Sequence, residues 1–241
     1  MSAAEHFTFC MTQPSTIPDP AQAELVARQA ARWNDPATQR AARERVLLAK
    51  ARAERDEGRL RTQLRQLAKA PAIQQKIYWL RELAATFGDA VAPHAACTTG
   101  CAACCYQPVA VTRQEAEVIA KETGAAMQVP GAWSSEADMQ NVGRPCSFLQ
   151  DSRCTIYRYR PMACRLMFNM DADALLCQMV PGSLSHVPYA DYSDQKELYV
   201  RAHLGRVKTA EEVQAALKAL EMADLREFFP HGLGTHSPTG G

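Results

Sequence analysis

Cys97-Thr98-Thr99-Gly100-Cys101-Ala102-Ala103-Cys104-Cys105 places four thiols within nine residues, and the kind of fold this chain can adopt turns on those nine. A hydrophobic core has no use for so many thiols at that spacing. A thiolate is a soft anionic ligand that suits zinc or an iron–sulfur cluster, and the C-x3-C-x2-C-C spacing lets several sulfurs converge without long-range folding. Gly100, Ala102 and Ala103 are small enough for the backbone to turn tightly around a metal. Adjacent side chains diverge, so of Cys104 and Cys105 one can ligate while the other faces a second metal, a partner thiol or the core.

A second group of thiols follows in Pro145-Cys146-Ser147-Phe148-Leu149-Gln150-Asp151-Ser152-Arg153-Cys154-Thr155-Ile156-Tyr157-Arg158-Tyr159-Arg160-Pro161-Met162-Ala163-Cys164-Arg165. Phe148–Leu149 and Thr155–Tyr157 read as short strands around a polar Gln150–Arg153 turn, a hairpin that would hold Cys146 near Cys154. Pro161 opens a helix carrying Cys164 and Arg165. A four-thiolate zinc or cubane site carries about −2 net charge, so Arg160 and Arg165 are candidates to neutralise it and donate hydrogen bonds to sulfur; the alternative is an ordinary surface ion pair. Cys177 reads either as a further ligand or as a small buried hydrophobe among leucines. The metal candidates are therefore Cys97, Cys101, Cys104, Cys105, Cys146, Cys154, Cys164 and Cys177. Cys10 lies far from them and reads as incidental. Of the six histidines only His94 falls close to the cluster, and a capping or surface role suits it better than ligation.

The rest of the chain is ordinary. It has 241 residues, 47% hydrophobic, with a formal charge of +1, enough apolar content for a real core and too little charge for a globally basic nucleic-acid coat. MSAAEHFTFCMTQPST shows no basic segment followed by an apolar run, and no window reaches the roughly 18 apolar residues of a membrane helix. A cytoplasmic protein is expected, in which clustered thiols are metal ligands rather than disulfides.

Outside the cysteine region the pattern is helical. Residues 1–20, with Pro14, Pro18 and Pro20, read as a mobile leader. Helices are predicted near 21–33, 36–70 and 72–87, opened or broken at Pro36 and Pro71. In the last of them Ile73, Ile77, Leu80, Ala84 and Phe87 share one face and Gly88 closes it. Leu60, Leu64 and Leu67 supply the matching face for an antiparallel hairpin. Residues 21–90 carry 14 Lys/Arg and 8 Asp/Glu, a net of +6. Arg40, Arg43, Arg45, Arg52, Arg55, Arg59, Arg61 and Arg65 form either a surface for an acidic protein or RNA or a solvated face with pairs such as Glu57 to Arg61. With no aromatic platform or nucleic-acid motif, the solvated face is the favoured reading and nucleic acid is not expected; a protein partner through the basic arm is the alternative. Further on, a helix is predicted near 194–205. Another follows a capping box of Thr209 and Glu212, with Val213, Ala216, Leu217 and Leu220 on one face; the tail from 231 is predicted to fray.

The cluster Cys97–Cys105 together with PCSFLQDSRCTIYRYRPMACR resembles the YkgJ, or CxxCxxCC, cysteine-cluster family, described as zinc- or iron-chelating. The likeness spans residues 94–180 and implies a small irregular metal-centred domain surrounded by helices. Many members begin C-x2-C, whereas three residues separate Cys97 from Cys101 here. A related cluster in flagellin lysine methylases is associated with an iron–sulfur centre, although this chain has no recognisable S-adenosylmethionine site.

The expected architecture is mainly α: a leader (1–20), a basic helical hairpin arm (21–90), an irregular cysteine-rich metal module with a short β-hairpin (91–185), C-terminal helices packed on it (186–230) and a tail (231–241). The expected function is metal binding, structural or as a carrier, with a 4Fe–4S cluster favoured over zinc because eight thiols exceed the needs of one tetrahedral ion. The alternative is an iron–sulfur enzyme in methylase-like protein modification or in redox chemistry, with Asp171, Asp173, Tyr157 and Tyr159 close by in sequence. Cys97-x3-Cys101-x2-Cys104 also has radical-SAM spacing, but the repeated strand–helix units of that barrel are missing.

Overall fold

Two Asp–Pro pairs start the first two helices. Asp19 caps α1 (Pro20–Asn34) by accepting from the Ala21 amide. Asp35 caps α2 (Pro36–Ala53) through the amide of Ala37 and the hydroxyl of Thr38, and these bonds hold its carboxyl below the usual range. In each case proline takes the first helical position, where its missing N–H costs nothing. The computed structural model describes residues 19–98, 100–131, 141–180, 183, 186–205, 209, 211–212, 215 and 220–234.

The single helix expected over 36–70 is divided. A 3-10 turn at Glu54–Asp56 separates α2 from α3 (Glu57–Lys69), where Asp56 and Gly58 are weak helix formers and the tighter turn re-aims the chain. α4 (Ile73–Val91) runs straight through Gly88 instead of ending there. A Cβ at Gly88 would stand 3.2 Å from Cζ of Phe168, so this glycine makes room for a ring of the cysteine region. The α3–α4 hairpin forms, with Leu67, Leu80, Leu83 and Ala84 buried together. Leu64, however, is exposed. The inward position beside Leu67 belongs to Gln63, whose amide nitrogen donates to Oγ1 of buried Thr86 at 3.0 Å.

The arm shares its core with the cysteine region and the helix beyond it. Met162 and Leu166 of the short α6 (Met162–Leu166) complete the α3–α4 cluster, flanked by Tyr192, Leu198 and Tyr199. Ala42, Ala49 and Val91 bury with Met170 and Ala190. Charge crosses the same boundary: Arg32 pairs with Asp171 at 3.1 Å, Arg45 donates to the Met170 carbonyl at 2.9 Å, and buried Arg81 reaches Glu122 at 2.5 Å. Part of the arm's net charge is thus spent internally.

Strand β1 (Ala110–Thr112) leads into α5 (Arg113–Thr123), a helix that the sequence reading passed over. Thr112 caps it and Gly124, at φ 73°, ends it. Strands β2 (Leu149–Gln150) and β3 (Arg153–Cys154) form the expected hairpin two residues tighter than predicted. Asp151 and Ser152 take left-handed φ of 46° and 57°, the conformation of a two-residue hairpin turn. α7 (Ser193–Leu204) matches the prediction near 194–205. Thr209 and Glu212 make the reciprocal capping bonds at 3.2 Å, but Val213, Ala216 and Leu217 of the following helix lie outside the described residues. So do the leader to residue 18 and residues 235–241.

β4 (Met222–Asp224) pairs antiparallel with β1, Val111 opposite Ala223. The very short α8 (Leu225–Phe228) follows, and Phe228 and Phe229 enter a core with Val111, Ile119, Phe148 and Ile156. Residues 231–234, placed by sequence in the frayed tail, form a turn packed on this core through Leu233. The fold is mainly α with two small two-stranded sheets. No helix among the described residues is long and apolar enough to cross a membrane.

Candidate metal centre

The two cysteine groups are built differently. The first lies on turns: Cys101 N–H donates to the Thr98 carbonyl at 3.0 Å, Gly100 supplies a left-handed φ of 88°, and a 3-10 turn at Ala103–Tyr106 carries Cys104 and Cys105. Cys97 and Cys101 are exposed. The second group is anchored in the core, where Cys146, Cys154 and Cys164 pack against the cluster containing Phe148 and Phe229. One backbone bond joins the groups directly, from Cys146 N–H to the Cys105 carbonyl at 2.7 Å.

All eight described cysteines are free thiols, and their titration links them into one neighbourhood. Burial raises Cys97, Cys146 and Cys154 above the ordinary thiol value and pushes Cys164 well above it. Cys177 is pushed up to about 12, by burial first and then by Cys97, Cys101 and Cys104. Cys104 is the exception. The Cys105 thiol donates to it and brings it down to about 7, with the Arg160 charge helping, while Cys105 is correspondingly raised. Among the described residues no three Cys, His, Asp or Glu donors already surround a single metal position.

Arg160 stands where the anionic sulfurs would be. Its charge works to lower Cys104 and opposes the rise of Cys97, Cys154 and Cys164, its guanidinium lies 4.0 Å from the ring centroid of Tyr157, and its Nε is buried without a hydrogen-bond partner among the described residues. An orphaned N–H in a nest of thiols fits a metal-bound thiolate or sulfide as acceptor. Arg165 acts otherwise: it donates to the carbonyls of Arg160, at 2.9 Å, and of Arg158, holding the loop that presents Arg160. His94 ends a 3-10 turn at Ala92–His94. Asp171 and Asp173 are engaged by Arg32, Tyr157 is exposed, and Tyr159 packs on the core.

Residues 96–183 match the model of the CxxCxxCC family, described as "Putative zinc- or iron-chelating domain". This segment is similar to CxxCxxCC domains. No curated protein and no solved structure matches the chain. The matched segment contains all eight candidate thiols and excludes α1–α4 and the strand–turn segment after residue 221.

Two polar residues that sequence reasoning missed organise this cysteine region. Buried Asn169 accepts from the Ala96 amide at 2.8 Å and directs its own backbone N–H at Cys97 and its side chain at Cys177. It thereby brings Cys177 beside the first motif. The second residue, buried Arg226, donates to the carbonyls of Cys105, Gln107, Arg144 and Pro145. An isolated Asn or Arg bonding to backbone leaves no periodicity or spacing by which to find it.

Proposed function

We propose that this chain binds metal through the thiolates of its CxxCxxCC-like segment, with a 4Fe–4S cluster favoured over zinc and the metal serving a structural or carrier role. One observation carries the reading: four free thiols, Cys97, Cys104, Cys154 and Cys164, feel the charge of Arg160, whose buried Nε has no acceptor among the described residues. Cys146, Cys154 and Cys164 supply the anchored side of the site, Cys97, Cys101 and Cys104 the side that closes, and Cys105 and Cys177 the thiols beyond one tetrahedral set. A cluster supplies one-electron chemistry when bound, tuned by hydrogen bonds to its sulfurs; here Arg160 is the donor and Arg165 holds it in place. The exposure of Cys97 and Cys101 suits a metal that exchanges with an acceptor's thiols. The outward Arg40, Arg43, Arg52 and Arg55 suit an acidic protein partner, since Arg32, Arg45 and Arg81 are occupied within the fold.

Anaerobic purification with metal analysis and a visible spectrum tests this. Brown protein with iron and acid-labile sulfide, bleached on reduction, is the expected result. Colourless protein with stoichiometric zinc replaces the cluster by zinc. Protein that takes up neither metal, with every thiol titrating freely, overturns the reading.

A further inference from the structure

The CxxCxxCC match ends at residue 183, yet the side chain that ties its two cysteine motifs together comes from residue 226. Arg226 is nearly inaccessible, with 8% of its side chain exposed. Nη2 donates to the carbonyls of Cys105 at 2.9 Å and Gln107 at 3.1 Å, both at the end of the first motif. The same nitrogen reaches the Arg144 carbonyl at 2.8 Å and Nε reaches that of Pro145 at 3.1 Å, immediately before Cys146 in the second motif. Nη1 is held by both carboxylate oxygens of buried Asp224, at 3.1 and 3.0 Å.

Asp224 is fixed in turn. It is the last residue of β4, it accepts from the Val109 amide at 2.9 Å, and it caps the turn that carries Arg226 by accepting from the Arg226 amide at 2.8 Å. The chain of restraint runs from β1, through Asp224, into the guanidinium and out to four carbonyls on two loops. Those loops lie far apart in sequence and meet here. The direct bond from Cys146 N–H to the Cys105 carbonyl crosses the same junction, so the Cys105 carbonyl accepts from both Arg226 and Cys146. Only a guanidinium spans this set: it is planar, with donors directed to both loops and to the carboxylate at once, whereas an ammonium is a point donor.

We propose that Arg226 is the positioning residue that sets the two cysteine motifs against each other, so that the metal-binding unit of this chain is residues 96–183 together with the segment 222–234. The proposal rests on the metal reading for its consequence, but the clamp is built from protein groups alone and can be tested without metal.

The test compares Arg226→Lys with Arg81→Lys. Arg81 is an equally buried guanidinium, 7% exposed, paired with Glu122 and Glu115 and making no bond to a cysteine loop. In the metal-free full-length chain, hydrogen exchange at the Cys146 amide should rise at least about tenfold in the Arg226 variant and stay near wild type in the Arg81 variant. Titration with Co2+ against a competing chelator should show affinity lowered by about 10- to 100-fold in the Arg226 variant, with an altered thiolate-to-cobalt absorption. The Arg81 variant should melt lower yet bind as wild type. Unchanged exchange at Cys146 together with affinity within about threefold of wild type overturns the clamp. Raised exchange in a chain that takes up no metal, wild type included, upholds the clamp and removes the metal reading. If Arg226→Lys does not fold, wild-type exchange with and without Co2+ decides. Protection gained at residues 225–229 along with Cys146 supports the clamp, and protection confined to 96–183 refutes it.

Discussion

The first cysteine motif lies on exposed turns, whereas the second is set into the hydrophobic core. Cys97 and Cys101 face solvent, held by Gly100 and short-range backbone bonds; Cys146, Cys154 and Cys164 pack beside Phe148 and Phe229. Sulfurs in the core are fixed in place before metal arrives, at the cost of being harder to ionise. Thiols on the turns would have to lose loop entropy to ligate.

The largest effects should come from replacing one thiol in each motif. Cys164→Ser puts a hydroxyl among apolar groups and is expected to destabilise even the metal-free chain by about 1–3 kcal/mol. Cys101→Ser should leave metal-free unfolding within about 0.5 kcal/mol of wild type. In both variants the stabilisation that metal gives should fall, a contribution of about 4 kcal/mol for free metal at a thousand times the dissociation constant. Thermal melts with and without metal measure all four cases. Equal losses in the two metal-free variants would break the contrast between the motifs.

Gly232→Ala probes the support of the second motif. At φ +57° its Cβ would come within 2.2 Å of the Ser147 carbonyl oxygen, next to Cys146, so a loss of about 1–3 kcal/mol is expected. Denaturant unfolding of the metal-free chain checks it.

A smaller effect, in pH, comes from the junction between β1 and α7. His203 Nδ1 donates to the Tyr199 carbonyl at 2.8 Å, so Nε2 accepts from the Thr112 hydroxyl at 3.0 Å. Tyr199 in turn donates to buried Glu115 at 2.9 Å, Arg81 lies 3.9 Å from the same carboxylate, and Lys76 stands close by. Burial first, with the Lys76 charge, holds His203 below its usual value, against the opposing pull of the Tyr199 carbonyl and Glu115. The folded state is thus the weaker proton binder. Stability contributed by neutral His203 is complete above the unfolded value of 6.5 and declines as pH falls through the window below it. His203→Gln should flatten that decline in the metal-free chain, and an unchanged pH profile would show that His203 does not cause it.

The smallest effect is expected at the interface between the arm and the domain. In Gly88→Ala the added methyl meets the outer end of the half-buried Phe168 ring at 3.2 Å, which can shift. Helix propensity should then win, raising stability by up to about 1 kcal/mol. A lower melting temperature would show that the ring is locked.

Much of the helical framework was legible because its signals are local. Asp35–Pro36 announces its helix, and the Ile77, Leu80 and Ala84 face is buried as its spacing predicts; Asp19–Pro20, assigned to the leader, in fact caps and opens α1. α5 carries equally local signals, Thr112 with Glu115 three residues on and Gly124 at the end, and could have been read. Gly88 and Leu64 were misread because their roles depend on neighbours distant in sequence: a ring at Phe168, and a Thr86 hydroxyl that draws Gln63 inward. At the site the thiols declared themselves by residue type and spacing. Which arginine serves them did not, since Arg160 and Arg165 read alike and only contacts separate them.

The sequence by itself determined that this is a helical chain around clustered soft ligands, because residue chemistry and short-range periodicity need no knowledge of the fold. The tertiary structure alone decided that Cys177 joins the first motif through Asn169, that the arm shares a core with the cysteine region, and that residue 226 clamps both motifs. Those facts rest on hydrogen bonds to backbone carbonyls and on packing between distant segments, and a carbonyl is the same in every residue.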